Sequence, residues 1–329
     1  MSDIMALLVL PRIRVQNANA ISSPLTWGFP SMTSFIGLMQ ALERKLPEHI
    51  DLEFQRVGVI CHGFEPQVTT GGYTRTFHLT RNPVAMDGGT AAIVEEGRVH
   101  LDITLVFGVS GEAVVGTVEE RNSAAREIGD IVAGMRIAGG SVTPPLAGTS
   151  ASGVRPVLVP VDENSEARDR QFLGLRRRWL PGFALVSRDD LLQKRLAELH
   201  ETTPGATAFD AWLDLSRLNI EPPVPEATDK NSSAVEGGRW EVRRPPGWIV
   251  PIPVGYGALS ELYGPGTVAN ARDDTTSFRF VESLYSLGQW VSPHRLSGPE
   301  DMLWYIHSEP EQGLYRCRND YQPPYTQQP

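Results

Sequence analysis

The sequence predicts a mixed α+β fold, and three observations carry that prediction. Val99, Leu101, Ile103, Leu105 and Phe107 alternate strictly with other residues, as in a strand with one face on a core. Phe35, Leu38, Met39, Leu42 and Leu46 recur at helical spacing and lay a single apolar stripe along a helix. Across residues 1–165 such segments follow in the order β-α-β-β-α-β, the pattern of a ferredoxin-like (RRM-like) head.

Residues 6–15 are β-branched and leucine-rich and form the first strand. A polar loop rich in Pro and Gly follows over 17–31. Ser31 is placed to cap the first helix and Pro47 to stop it. Residues 52–62 give the second strand. Between it and the third, residues 64–98 hold Gly71-Gly72, Asn82-Pro83 and Gly88-Gly89 among strand-like pieces, which predicts a long β-hairpin insertion. Ile128, Ile131, Val132 and Met135 make the second helical stripe, with Gly139-Gly140 expected to end it. Residues 154–161 close the head as a short strand.

Beyond the head, residues 166–220 read as a helical addition, interrupted at Pro181-Gly182 and including a short helix over 206–218. Residues 221–238, rich in Pro, Ser, Glu and Gly without an apolar period, read as a linker loop. Residues 239–321 are expected to pack on the head as a C-terminal segment, and 322–329 to form a polar tail.

Composition narrows the function classes. The 329 residues carry a net charge of −9, which argues against nonspecific binding to long nucleic acid and requires any such site to be local. Of the 30 basic residues only Lys45, Lys194 and Lys230 are lysines. The rest are guanidinium forks, which suit phosphates and base edges, although a coding bias gives the same ratio. Two cysteines, no secretory leader and no apolar run of about 20 residues predict a cytoplasmic protein. The seven histidines show no metal-binding spacing, and neither a cofactor, a metal nor a catalytic residue is expected.

Four segments carry polar chemistry. The loop over 16–30 crowds Asn17, Asn19, Ser22, Ser23 and Trp27 together, where amides read base edges, hydroxyls reach phosphate or ribose and an aromatic stacks a base. The alternative is a loop whose side chains satisfy its own backbone. Arg136, Gly139, Gly140 and Ser141 form a glycine-bearing loop suited to a phosphate, or else a helix end and a turn. No Lys-Ser/Thr follows that loop, so it is not a nucleotide-hydrolysis signature. The insertion offers His78, Arg81, Asn82 and Arg98. Arg176, Arg177, Arg178 and Trp179, with Arg168, Arg170, Arg188 and Arg195 around them, invite a phosphate backbone or an acidic partner, or make a solvated helix face. His294 and Arg295 sit in a Ser-Pro-His-Arg turn.

Several of these stretches resemble one family in order. Leu10-Pro11 with residues 15–30, Leu79-Thr80-Arg81-Asn82-Pro83, residues 90–98, Met135-Arg136 with residues 138–141, and residues 180–188 are similar to the second-subunit family of the type I-F CRISPR Csy surveillance complex. In the last third so do Pro246-Gly247-Trp248 through Gly255-Tyr256, Ser292-Pro293-His294-Arg295 and Gly313-Leu314-Tyr315-Arg316.

The resemblance implies a non-catalytic, repeat-associated RNA-binding subunit. It would bind the five-prime handle of the CRISPR RNA with the large subunit, contact an adjacent backbone subunit and support target DNA recognition through the assembled complex. Asn17, Asn19, Ser22, Ser23, Trp27, Arg136, Gly139, Gly140 and Ser141 are the residues expected on the handle, with Arg81 and Asn82 on the hairpin. Arg176, Arg177, Arg178 and Arg188 come next, then His294 and Arg295. Two rivals stand beside this reading. One is a metal-independent endoribonuclease using His62, His78 or His294, and the other a protein scaffold without RNA contact.

Overall fold

A computed structural model describes residues 4–81, 84, 87–90, 92–144, 155–221, 240–243, 247–271 and 273–323. Among them eleven strands build one sheet: β1 (Ala6–Asn19), β2 (Glu53–Pro66), β3 (Arg98–Ser110), β4 (Arg136–Ile137), β5 (Gly140–Thr143), β6 (Val157–Pro160), β7 (Phe183–Ser187), β8 (Trp248–Ala258), β9 (Val281–Val291), β10 (Trp304–Glu309) and β11 (Leu314–Asn319). Five helices accompany them: α1 (Met32–Glu43), α2 (Val118–Ala133), α3 (Ser165–Arg178), α4 (Asp189–Thr202) and α5 (Ala208–Ser216). The fold is thus mixed α+β around one large antiparallel sheet.

Strand order runs β4-β5-β1-β3-β2-β7-β9-β8-β11-β10, with β6 also on β1. One edge of β2 is shared: Ile60 and Cys61 pair with β7, while Val57 pairs with Trp304 at the start of β10. That second pairing closes β2, β7, β9, β8, β11 and β10 into a six-stranded ring.

Side-chain alternation sorts the sheet into two faces. Leu8, Leu10, Ile103, Leu105, Phe107, Val57 and Val59 pack against α1 and α2. Leu7, Val9, Val106 and Ile60 point the other way, onto Phe172, Leu175 and Trp179 of α3 and its flank. β1 and β3 are buried on both faces here, and each such leucine or isoleucine contributes about 1.5–3 kcal/mol.

The first helix follows its spacing. The Ser31 hydroxyl accepts from Thr33 N–H at 3.3 Å as its cap, and Phe35, Leu38, Met39 and Leu42 are buried. The second begins earlier than its apolar stripe, because Thr117 and Glu120 form a capping box ahead of it. It also ends earlier, at Gly134. Gly139 and Gly140 do not terminate this helix; they belong to the β4–β5 hairpin beyond it.

The interruption at Pro181-Gly182 is likewise more than a helix break. Residues 183–187 are β7, which lies between β2 and β9 and is buried from Ala184 on. A five-residue apolar run has no period long enough to separate a strand from a helix segment, so length and flanking Pro-Gly decide it. The 64–98 insertion holds two exposed two-stranded hairpins, Val68–Gly71 with Thr74–Phe77 and Leu79–Arg81 with Ile93–Glu95. Strands β8 to β11 hydrogen-bond into the same sheet as β1 to β3. Of the expected linker at 221–238, Glu221 instead ends a short strand over Asn219–Glu221, and the remainder, with most of the tail, lies outside the described residues. No helix among those described is long and apolar enough to cross a membrane.

Candidate nucleic-acid interface

The second half of β1 bulges between Val15 and Ala18, and Asn17 there takes the left-handed region at φ 57°. Asn tolerates that region better than most side chains, because its short amide bonds locally. Asn17 N–H donates to His100 Nδ1 at 3.1 Å on the facing strand β3. Beside the bulge lies the β4–β5 hairpin, turned by Ala138 at φ 48° and Gly139 at φ 78°. Two successive left-handed residues make the tight turn whose twist matches paired strands.

Gly140 allows the hairpin to sit there. A Cβ on it would lie 2.7 Å from the Gln16 oxygen and the Ala18 nitrogen, so only hydrogen fits. Asn19 N–H then donates to the Ala138 carbonyl at 2.8 Å, fastening turn to bulge. Arg136 Nη1 donates to the Gly139 carbonyl at 3.2 Å, and the rest of its exposed guanidinium has no partner among the described residues.

Together these residues form one wall of a polar cleft of about 530 Å³. Asn17, Arg136, Gly139 and Ser141 line it with Gln16, and the root of the insertion supplies the other wall through Gln67, His78, Thr80, Glu96 and Arg98. Arg98 binds Glu96 at 2.7 and 2.9 Å, and that bond, with a second from Thr80, holds the Glu96 carboxyl below its usual range. Arg136 has no carboxylate partner among the described residues, so it is the cation the cleft offers. Arg81 belongs to the strand beside Thr80, while Asn82 lies outside the described residues.

Elsewhere in the 16–30 loop the polar side chains bond to the loop itself. Asn19 Nδ2 donates to Ile21 O at 2.7 Å while its Oδ1 accepts from Ile21 N–H at 3.1 Å. Ser22 donates to Phe29 O, and Ser23 bonds Thr26 Oγ1 and accepts from Leu25 N–H. These three side chains hold the loop's own backbone. Trp27 is half exposed, meets Phe77 edge to face at 5.8 Å and faces a separate apolar cavity.

The arginines of α3 stand apart from the cleft. Arg176 Nη1 donates to Leu296 O at 2.6 Å and joins the helix end to the turn holding Pro293–Arg295. Arg177, Arg178, His294 and Arg295 are exposed around that joint as a second basic patch. Arg188 is buried, its Nε and Nη2 each 2.8 Å from Asp190 and its Nη1 on Gln289. Its fork is already filled by the protein.

Gln16, Gln67, Thr80, Glu96 and His100 enter the site without having been singled out. They meet because β2 and β3 leave the sheet together at Pro66 and Val99, a register that no local pattern announces. No group of three or more His, Cys, Asp or Glu among the described residues is placed to hold a metal ion.

The model of the family described as CRISPR-associated protein (Cas_Csy2) matches residues 8–317. The CRISPR-associated protein Csy2 of Pseudomonas aeruginosa (strain UCBPP-PA14) is 49% identical over 317 residues, covering 96% of this chain and 95% of that protein. With a match from β1 to β11 and near-complete mutual coverage, the chain belongs to the Csy2 family of CRISPR-associated proteins.

Proposed function

We propose that this subunit of the CRISPR Csy complex grips the five-prime handle of the CRISPR RNA in the polar cleft and cuts neither RNA nor DNA. One observation carries the reading. The β1 bulge and the β4–β5 turn, far apart in sequence, bring Asn17, Arg136, Gly139 and Ser141 against the root of the hairpin insertion. An amide at a left-handed bend, an open glycine turn and an exposed guanidinium are the means by which a protein holds a bent single strand by phosphate and base edge. The chain's −9 charge fits a short local grip better than a long basic track.

The order β6-β1-β3-β2, with α1 and α2 on one face, supports a ferredoxin-like head bearing the handle. Its other face is covered by α3, so an open-sheet mode of RNA binding is closed and the loops take over. The large subunit is the proposed companion in the grip, with an adjacent backbone subunit beside it. Target DNA is met through the assembled complex, where guide pairing reads sequence.

The test is co-expression with the large subunit and a CRISPR RNA, purification on this chain, and sequencing of the bound RNA with mapped ends. A defined, intact handle that is lost on Asn17→Ala with Arg136→Ala is the expected result. RNA cut by this chain alone would replace the reading with a ribonuclease, and a stable complex without RNA would replace it with a scaffold.

A further inference from the structure

Six aromatic rings converge on the cavity that Trp27 faces, and among the described residues that line it none is charged. Trp27, Phe64, Phe183 and Trp248 are 52, 40, 41 and 55% exposed, while Trp290 is buried. The rings brace one another: Phe183 meets Trp248 edge to face at 5.3 Å, Trp248 leans on Trp290 at 6.2 Å, and Phe29 meets Trp290 at 4.9 Å. The space between them is about 490 Å³, within the roughly 300–1,000 Å³ of ligand pockets. Four exposed aromatics around one concavity mark an occupied surface.

The position of the cavity identifies the occupant. Trp27 touches Phe77, and the next residue, His78, lines the polar cleft. One edge-to-face contact therefore separates a polar site that offers Arg136 from an apolar site with exposed ring surface. Single strands are held by that division of labour, backbone on cations and bases on aromatics. His62 lines the cavity too, but both its ring nitrogens are already bonded, so it has no group left to read a base edge.

We infer that the aromatic cavity receives one unstacked base of the RNA strand whose backbone lies in the cleft, by stacking and without reading base identity. The inference rests on the cleft being an RNA grip. It is tested by assembling the Csy complex on CRISPR RNAs that carry 2-aminopurine at one handle position at a time. One position should be quenched in the assembled complex, and Trp248→Leu and Phe64→Leu should each relieve that quench and weaken RNA binding about tenfold. Trp248→Phe keeps a ring and should keep the affinity. Both residues are exposed, and unchanged melting temperatures confirm folding.

A quench that ignores these substitutions overturns the inference. So does loss of another subunit from the complex with the quench unchanged, since the cavity then holds a protein side chain. Asn17→Ala with Arg136→Ala separates the two levels: RNA retained in that variant defeats the grip itself, whereas RNA lost there but indifferent to the aromatic substitutions defeats only the cavity.

Discussion

His62 Nδ1 lies 2.7 Å from the carbonyl oxygen of Pro181, and because a carbonyl can only accept, the ring proton sits on Nδ1. Nε2 then accepts from the Thr104 hydroxyl at 2.8 Å, and Thr104 in turn accepts from Arg12 N–H at 3.2 Å. The ring ties the β2 bulge to the turn that enters β7. Burial lowers its pKa from the ordinary 6.5, so the folded state prefers it neutral. A depressed histidine contributes stability that is complete above the unfolded value and is lost as pH falls through it toward the folded one. The melting temperature should therefore drop below about pH 6.5, and less so in His62→Gln. His62→Ala should cost about 1–3 kcal/mol in denaturant unfolding by leaving the buried Thr104 hydroxyl without an acceptor for its proton, and should leave bound RNA ends unchanged.

Gly139 and Gly140 differ in what they forbid. Gly139 has open space around a missing Cβ but a φ of 78°, so Gly139→Asn should be tolerated and Gly139→Val should cost about 1–2 kcal/mol. Gly140 has no space at all. Gly140→Ala should push the hairpin off the bulge, lowering stability by about 1–3 kcal/mol and releasing RNA from the purified complex.

Arginines of similar sequence surroundings should separate into two behaviours. Arg188→Ala strips a buried fork from Asp190 and Gln289 and should lower the melting temperature clearly. Arg177→Ala and Arg178→Ala, on the exposed end of α3, should move stability by no more than about 0.5 kcal/mol. Any loss of RNA from those two is then a loss of contact, checked by comparing RNA recovery with the melting curves.

Asp214 is 7% exposed and takes Arg195 at 2.6 Å, with Arg217 and Arg243 at 3.1 Å, so one carboxylate ties α4, α5 and the hairpin at 219–221 and 241–243. Burial pushes its carboxyl up, but the bonds from Arg243 and Arg195 outweigh it and leave the pKa below 3.8. That stability is present above the unfolded value and is lost as pH falls through the folded one, so acid should loosen these elements. Asp214→Ala should cost toward the lower end of about 3–5 kcal/mol, because Arg217 and Arg243 keep contact with water. Protease susceptibility between residues 189 and 221 would report it.

The elements with a clear period were legible: β3 and α1 stand where alternation and helical spacing put them, while β1 covers its β-branched run over 6–15 but continues to Asn19, into the stretch expected as a loop. What failed to show was pairing over distance. β7 is too short to have a period, and its place between β2 and β9 is decided by residues 122–124 positions away on one side and 101–107 on the other. The site was half legible for the same reason. Asn17, Arg136, Gly139 and Ser141 announced themselves by residue type, whereas Gln67 and Glu96 become neighbours of the cleft only through the register of β2 on β3. Asn19, Ser22 and Ser23 bond within their own loop, and in sequence a polar loop side chain looks alike whether it faces a ligand or its own backbone.

The shared edge of β2 has a bearing on how this chain is made. Val57 leaves the ribosome early, yet the strand that covers it begins at Trp304. Through most of synthesis the nascent chain holds an open flank and an indole-sized vacancy, since Trp304 is fully buried once in place. Interrupted translation anywhere before residue 304 yields a product with an adhesive rim instead of a smaller working protein. A chain that stops short of residue 304 cannot shut its ring and keeps the flank of β2 at Val57 unpaired.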